Sequence, residues 1–223
     1  MLLKNRKYAF QEPDRDAKKI FIYCEGAKRE RDYFKFFEKF DSRLHIIVYE
    51  LKDTEDNSAV GLMNIAKRDI AAQEVIEGDE IWIVLDTDTY GNAHRVSTLI
   101  KLREECSSQN WNVAQSNPCF EVWLYYHQES EKPTFEGIDV PSVWKTQVSQ
   151  IIRGGFNAKK HPILLPIAIK NAEENFVLDS NRFPDVASTE VFKLASNILA
   201  LGKVKMRLAQ ELQDMTKNVD TQK

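Results

Sequence analysis

Three carboxylates stand where short apolar runs end. Glu25 closes the run KIFIYC at residues 19–24, and Asp86 and Asp88 follow the run EIWIVL at residues 80–85. If both runs are strands of one parallel sheet, these acids share its carboxyl edge, where open α/β sheets place their ligands. The two-residue spacing of Asp86 and Asp88 sends both side chains to one side as the strand exits. Acids so grouped repel one another unless a cation is shared among them. With oxygen donors alone and no His or Cys beside them, that cation would be Mg²⁺ or Mn²⁺ rather than zinc. The same pattern also arises from solvated strand-end acids, and Glu25 equally suits the start of a helix, where it favours the dipole.

Holding those acids on one edge requires parallel strands, and the apolar pattern supplies them. Residues 44–51 (LHIIVYEL) and 111–115 (WNVAQ) read as two further strands. Nearly unbroken apolar runs suit strands covered on both faces. Between the strands, apolar residues recur at helical spacing: Tyr33, Phe34, Phe36 and Phe37 within 30–40, and Leu62, Ile65, Ala66 and Ile70 within 58–73. Residues 95–106 form a third helix, and Phe120, Trp123, Leu124 and His127 mark a fourth over 117–127, with Pro118 suited to its start. The order β-α-β-α-β-α-β-α predicts an α/β fold with a mostly parallel sheet flanked by helices.

The chain then changes character. Residues 129–141 are polar and proline-marked, and residues 141–172 contain no Asp or Glu but five bases, Lys145, Arg153, Lys159, Lys160 and Lys170. Helices are expected at 142–152, ended by Gly154 and Gly155, and at 166–174. A long last helix over 189–215 carries the stripe Leu194, Ile198, Leu201, Val204, Leu208 and Leu212, with Ser188 or Thr189 as its cap and Gly202 as a point of bending. That stripe exceeds what a small core needs, which gives a homodimer some weight. The expected organisation is an N-terminal extension at 1–18, an α/β domain at 19–130 and a mostly helical C-terminal region at 131–223.

Composition narrows the function. With 223 residues, 43% apolar, 8 Gly and 7 Pro, the chain can bury a core and is neither collagen-like nor low in complexity. A formal net charge of −3 excludes coating of DNA by charge alone, so nucleic-acid contact must rest on local patches or on metal. Cys24, Cys106 and Cys119 are widely spaced, without a CxxC, and read as reduced thiols of a cytoplasmic protein. No apolar stretch approaches the ~20 residues of a membrane helix, and the start MLLKNRKYAF lacks a signal-peptide core. There is no GxxxxGK[ST], so the chain is not itself a P-loop NTPase.

The segments YCEGAKRERDYF and WIVLDTDTY resemble the TOPRIM domain of topoisomerases, bacterial primases and OLD-family nucleases, with its Glu after the first strand and DxD after the third. More closely, CEG-x₃-E-x₂-YF, LDTD, SNPCFEVWLYYH and ASTEVFKL resemble the RloB family (AbiLii-like proteins), over residues 19–199. The resemblance implies a TOPRIM-like fold and a metal-dependent nuclease acting in phage defence, by abortive infection or alongside restriction genes, with an ATPase partner from the same locus. It implies Glu25, Asp86, Asp88 and Glu121 as metal-binding acids and Glu30 as the second acid of the first motif. Arg29 stands where the family usually has threonine, and the family's aromatic-x-Lys segment corresponds loosely to Phe156, Asn157, Ala158, Lys159 and Lys160.

Such a site would hydrolyse phosphodiesters of DNA or RNA: Glu25 as ligand or general base, and Lys159 or Lys160 offsetting charge on the pentacovalent phosphate. The acid-free stretch, Arg153 included, would supply phosphate contacts, or be an ordinary basic surface. Asn117 would bond a substrate phosphate or cap the helix begun at Pro118. Trp123, Tyr125 and Tyr126 read as core, and the four histidines share no metal spacing. A non-catalytic TOPRIM-fold sensor or toxin subunit, binding a nucleotide or a partner protein, is the alternative. A receiver-like phosphoryl-transfer protein would need a late strand carrying lysine, and none is evident.

Overall fold

Lys18–Cys24 forms the first strand, β1, and its side chains alternate between two buried environments: Ile20, Ile22 and Cys24 in one, Phe21 and Tyr23 in the other. That double burial is why the run is apolar throughout. The computed structural model describes residues 18–26, 28–38, 40, 44–50, 52, 54–56, 58–88, 93–200 and 202–220. The expected N-terminal extension therefore lies outside the described residues, except for Lys18, which opens β1.

The chain continues as α1 (Arg29–Lys35), β2 (Leu44–Val48), α2 (Ala59–Ile70), β3 (Glu80–Asp86), α3 (Ala93–Ser108), β4 (Asn112–Asn117) and α4 (Glu121–Tyr125). After these come α5 (Pro141–Ile151), a 3₁₀ turn at His161–Leu164, α6 (Leu165–Glu174), β5 (Ser188–Thr189), α7 (Val191–Leu199) and α8 (Gly202–Asp220). The sheet order is β2-β1-β3-β4-β5; the first four strands are parallel and β5 runs antiparallel to β4. The α/β class and the mostly parallel sheet thus follow the reading of the sequence.

Helices cover both faces. Tyr33, Phe34 and Phe37 pack with α4–α8 on the face formed by Ile20, Ile22, Trp82 and Val84, whereas α2 and α3 cover Phe21, Tyr23, Ile81 and Ile83. The chain leaves β1 over one face to reach β2, then returns over the other face to β3. The strand order therefore reverses between β1 and β3, and the ends of these two strands form the crevice where such sheets bind ligands. The helices after residue 131 do not build a core of their own: Trp144, Leu165, Leu194, Ile198, Val204 and Leu208 join the cluster that contains Ile20 and Val84.

Three local expectations are corrected. Residues 117–120 are not helical: Asn117 ends β4, the Asn117–Pro118 bond is cis, and the helix begins only at Glu121. Ser188 and Thr189 do not cap a helix from outside the sheet but form its fifth strand, with Thr189 paired to Ser116. Thr189 Oγ1 still accepts from the Val191 N–H at 3.2 Å, so a cap-like bond survives within that strand-to-helix junction. The single long last helix is two, α7 and α8, the second starting at Gly202.

Candidate active site

The register of β1, β3 and β4 brings the predicted acids together. Cys24 pairs with Val84, the Glu25 N–H bonds the Val84 carbonyl at 2.9 Å, and Asp86 pairs with Ser116. Glu25 and Asp86 therefore leave adjacent strands side by side, and the Asp86 N–H donates to Glu25 Oε2 at 3.0 Å. Beyond them Thr87 turns back to β4, its N–H and hydroxyl both donating to the Ser116 carbonyl at 2.8 and 2.9 Å. Asp88 adopts the left-handed region (φ 55°), its N–H donating to the Pro118 carbonyl at 2.8 Å. Aspartate tolerates that conformation better than most residues, and here it lifts the second carboxylate into solvent.

Asp86 lies on the floor of a cleft of about 970 Å³. Its lining mixes acids and bases: Glu30, Asp32, Asp86 and Glu121 together with Lys28, Arg29, Lys145 and Lys159. Gly26, Gly154, Phe156, Asn157 and Ala158 complete it. Burial pushes the Asp86 carboxyl well above the usual carboxylate range, and the charges of Glu30, Glu25, Asp88 and Glu121 push the same way. Glu30 is likewise raised, first by burial and then by Glu121. It lies so close to Gly26 that a Cβ on that residue would overlap its carboxylate. A methyl at residue 26 would have to push that carboxylate aside.

Two arginines compensate part of this charge. Arg95 Nη2 reaches both Glu25 oxygens at 2.9 Å and the Asp86 carbonyl at 2.6 Å, and stands 3.6 Å from Asp88 Oδ2. Burial raises the Glu25 pKa, while the Arg95 hydrogen bond and charge oppose that rise. Arg29 forms an ion pair with the buried Glu121. Asp86 and Glu30 have no ion pair among the described residues. Nor do those residues contain a group of three or more His, Cys, Asp or Glu close enough to hold one metal ion.

Part of the lining comes from the segment after α5. Gly154 and Gly155 take φ of 88° and 78°, a conformation that favours glycine, and Gly154 with residues 156–159 lines the cleft. Phe156 anchors the loop between His127 and His161, with ring centroids at 5.2 and 5.1 Å. His127 itself is buried, bonded to Tyr33 Oη at 3.1 Å and the Trp123 carbonyl at 3.0 Å, and burial lowers its pKa to about 3. It is a neutral packing group, as are Trp123, Tyr125 and Tyr126, which lie in the core. Asn157 Oδ1 accepts from the Lys159 N–H at 2.9 Å and fixes the turn that presents Lys159 to the cleft.

Of the residues singled out from the sequence, Asp86, Glu121 and Lys159 line the cleft, and Glu25 and Asp88 flank Asp86. Lys160 and Arg153 are exposed and do not line it. Asn117 does not cap a helix; it is buried and its Nδ2 donates to the Pro184 carbonyl at 2.8 Å. Arg95 was not legible beforehand, since nothing in its local pattern marks it; only the fold returns it to the strand ends nine residues after Asp86. Lys28 was equally silent.

No helix among the described residues is long and apolar enough to cross a membrane. No curated protein and no solved structure matches the chain. The family model described as RloB-like protein matches residues 20–198, from the first strand to the end of α7. The chain therefore belongs to the RloB-like family.

Proposed function

We propose that this protein is a metal-dependent nuclease with a TOPRIM-type α/β fold, hydrolysing nucleic-acid phosphodiester bonds in cytoplasmic phage defence. The observation that carries the reading is the cleft itself: Glu30, Asp32, Asp86 and Glu121 line it together with Lys28, Arg29, Lys145 and Lys159, at the reversal of strand order. A phosphodiester suits that mixture, because its oxyanions seek the bases while a cation shared with it seeks the acids.

The donor set suits a hard divalent ion in kind, since Asp86 is surrounded by carboxylates: burial raises its pKa most, and the charges of Glu30, Glu25, Asp88 and Glu121 add to the rise. Asp86, Glu25, Asp88 and Glu121 would hold Mg²⁺ or Mn²⁺. Such an ion would acidify water and stabilise the leaving oxygen. The chain's own residues would do the rest. Glu25, beside Asp86 at the strand ends, would be a ligand or the general base that takes a proton from water. Lys159, Lys145 and Arg29, which line the same cleft, would hold the phosphate oxygens. Lys160 and Arg153, outside the cleft, would contact the flanking backbone of the polymer. An ATPase from the same locus and a second copy of the chain are the proposed protein partners.

Incubation of wild type and Asp86→Ala with plasmid DNA and with total tRNA, in Mg²⁺, Mn²⁺ or EDTA, tests the reading. Metal-dependent cleavage lost in the variant supports it and identifies the polymer. No cleavage of either, alone or with the co-expressed ATPase, overturns it. The second reading, a non-catalytic sensor or toxin subunit, is favoured by one observation: Arg29 and Arg95 already neutralise two of the acids. Such a subunit would keep its ligand or partner after Asp86 and Asp88 are both changed to Ala.

A further inference from the structure

The two arginines on the acidic edge differ in what holds them. Arg95 is 18% exposed, bonds a backbone carbonyl as well as Glu25, and belongs to the frame. Arg29 is 51% exposed and lines the cleft, and its ion pair is with Glu121, which is only 5% exposed. A buried carboxylate strongly resists losing its cation, so this contact persists while the cleft is empty. A guanidinium open to a cleft is also the side chain best shaped to grip phosphoryl oxygens at two points. Lys28, Lys145 and Lys159 line the same cleft, as do Asp86 and Glu30, which have no ion pair among the described residues.

We infer that Arg29 is the cleft's phosphoryl-binding residue, held in reserve by Glu121, so that a phosphoryl oxyanion and a divalent cation enter together, each taking one half of the Arg29–Glu121 pair. This rests on the metal-site reading above. An oxyanion alone must pull Arg29 away and strand Glu121. A cation alone must displace the guanidinium from Glu121 into a cleft that Lys28, Lys145 and Lys159 already line. Bound together, the two ligands relieve both penalties. The coupling is reciprocal, since each ligand must raise the affinity for the other by the same factor.

The test measures Mn²⁺ binding by paramagnetic resonance and adenosine 5′-monophosphate binding by calorimetry, each with and without the other ligand, on three proteins. In wild type the nucleotide should tighten Mn²⁺ binding by about fivefold or more. Arg29→Gln should bind Mn²⁺ more tightly than wild type without nucleotide and lose most of the coupling. Glu121→Gln, which frees Arg29, should bind the nucleotide without metal about fivefold more tightly than wild type. If Arg29→Gln does not fold, Glu121→Gln decides alone, since it removes a buried charge. Coupling unchanged in Arg29→Gln, or no gain of nucleotide affinity in Glu121→Gln, overturns the inference. Mn²⁺ binding by all three proteins without any nucleotide effect removes the Arg29 exchange but keeps the metal site. Binding by none of them removes both.

Discussion

Replacing Arg95 by methionine should destabilise the fold by about 3 kcal/mol at pH 8, and by much less at pH 5. One nitrogen, Nη2, holds both Glu25 oxygens and the Asp86 carbonyl, with Arg95 and Glu25 only 18% and 16% exposed. Removing one member of a buried ion pair costs roughly 3–5 kcal/mol, and the low end applies because both groups keep some solvent. For a chain of this size that corresponds to a fall in Tm of about 6–12 °C. The pH dependence follows from proton linkage. Burial already raises the Glu25 pKa, and Arg95 restrains the rise. A carboxyl whose folded pKa lies above its unfolded value binds protons more tightly when folded. It therefore costs stability once the pH exceeds the unfolded value, and the cost grows until the folded pKa is passed. Without Arg95 the folded pKa moves higher still, so the gap between variant and wild type must widen as pH rises. Thermal melts across pH 5–8 measure this directly. Arg95→Lys, which restores a charge, should recover part of the loss. A Tm deficit equal at every pH would refute the electrostatic account and leave packing as the cause.

Asp86→Asn should raise Tm without metal while abolishing any cleavage; removing one crowded charge is worth about 1 kcal/mol, most of it at high pH, where Asp86 is forced to ionise. Differential scanning fluorimetry at pH 5 and 8 would show the gain shrinking in acid. Lys159→Ala should weaken polynucleotide binding or cleavage by roughly tenfold, the effect of one charge-assisted bond, whereas Lys160→Ala and Arg153→Ala should each cost less than about twofold. Equal effects from all three would mean that the basic segment acts as a diffuse field. Gly26→Ala should cost about 2 kcal/mol by chemical denaturation, because the added methyl must expel the Glu30 carboxylate from its place.

What the sequence disclosed depended on how local the cause was. β1, β3 and the acids at their ends are legible because a strand buried on both faces is apolar throughout, and the first acid after it marks where the sheet meets water. α2 is legible for a similar reason, since Ser58 caps it and accepts the Gly61 N–H at 3.2 Å. β5 escapes because it has two residues, Ser188 and Thr189, whose types equally suit a helix cap. Only their partners on β4 decide the matter. Pro118 misleads in the same way: proline suits a helix start in general, but here the sheet extends to Asn117 and delays the helix to Glu121. The stripe on the last helices is legible as apolar, yet its destination is not. Leu194, Ile198, Val204 and Leu208 are spent on the chain's own core, while Met206 stays 72% exposed.

The cleft's electrostatics explain why Arg95 and Arg29 both matter yet neither announces itself in the sequence. A sheet edge with Glu25, Glu30, Asp86, Asp88 and Glu121 gathered around one strand end would oppose its own folding if every charge stood alone. Two devices offset this in the described residues: the raised pKa values of Glu25, Glu30 and Asp86, and the guanidinium groups on Glu25 and Glu121. Only contacts that can be exchanged leave room for a ligand. Arg95 is tied to the Asp86 carbonyl and to both Glu25 oxygens, so it holds the strand ends in register whether or not anything is bound. Arg29 comes from the first turn of α1, is half exposed, and its guanidinium bonds no backbone carbonyl among the described residues. Asp86 and Glu30 have no ion pair among the described residues, and burial leads the rise of both pKa values. The least compensated acid at the sheet edge is thus Asp86, where β1 and β3 part.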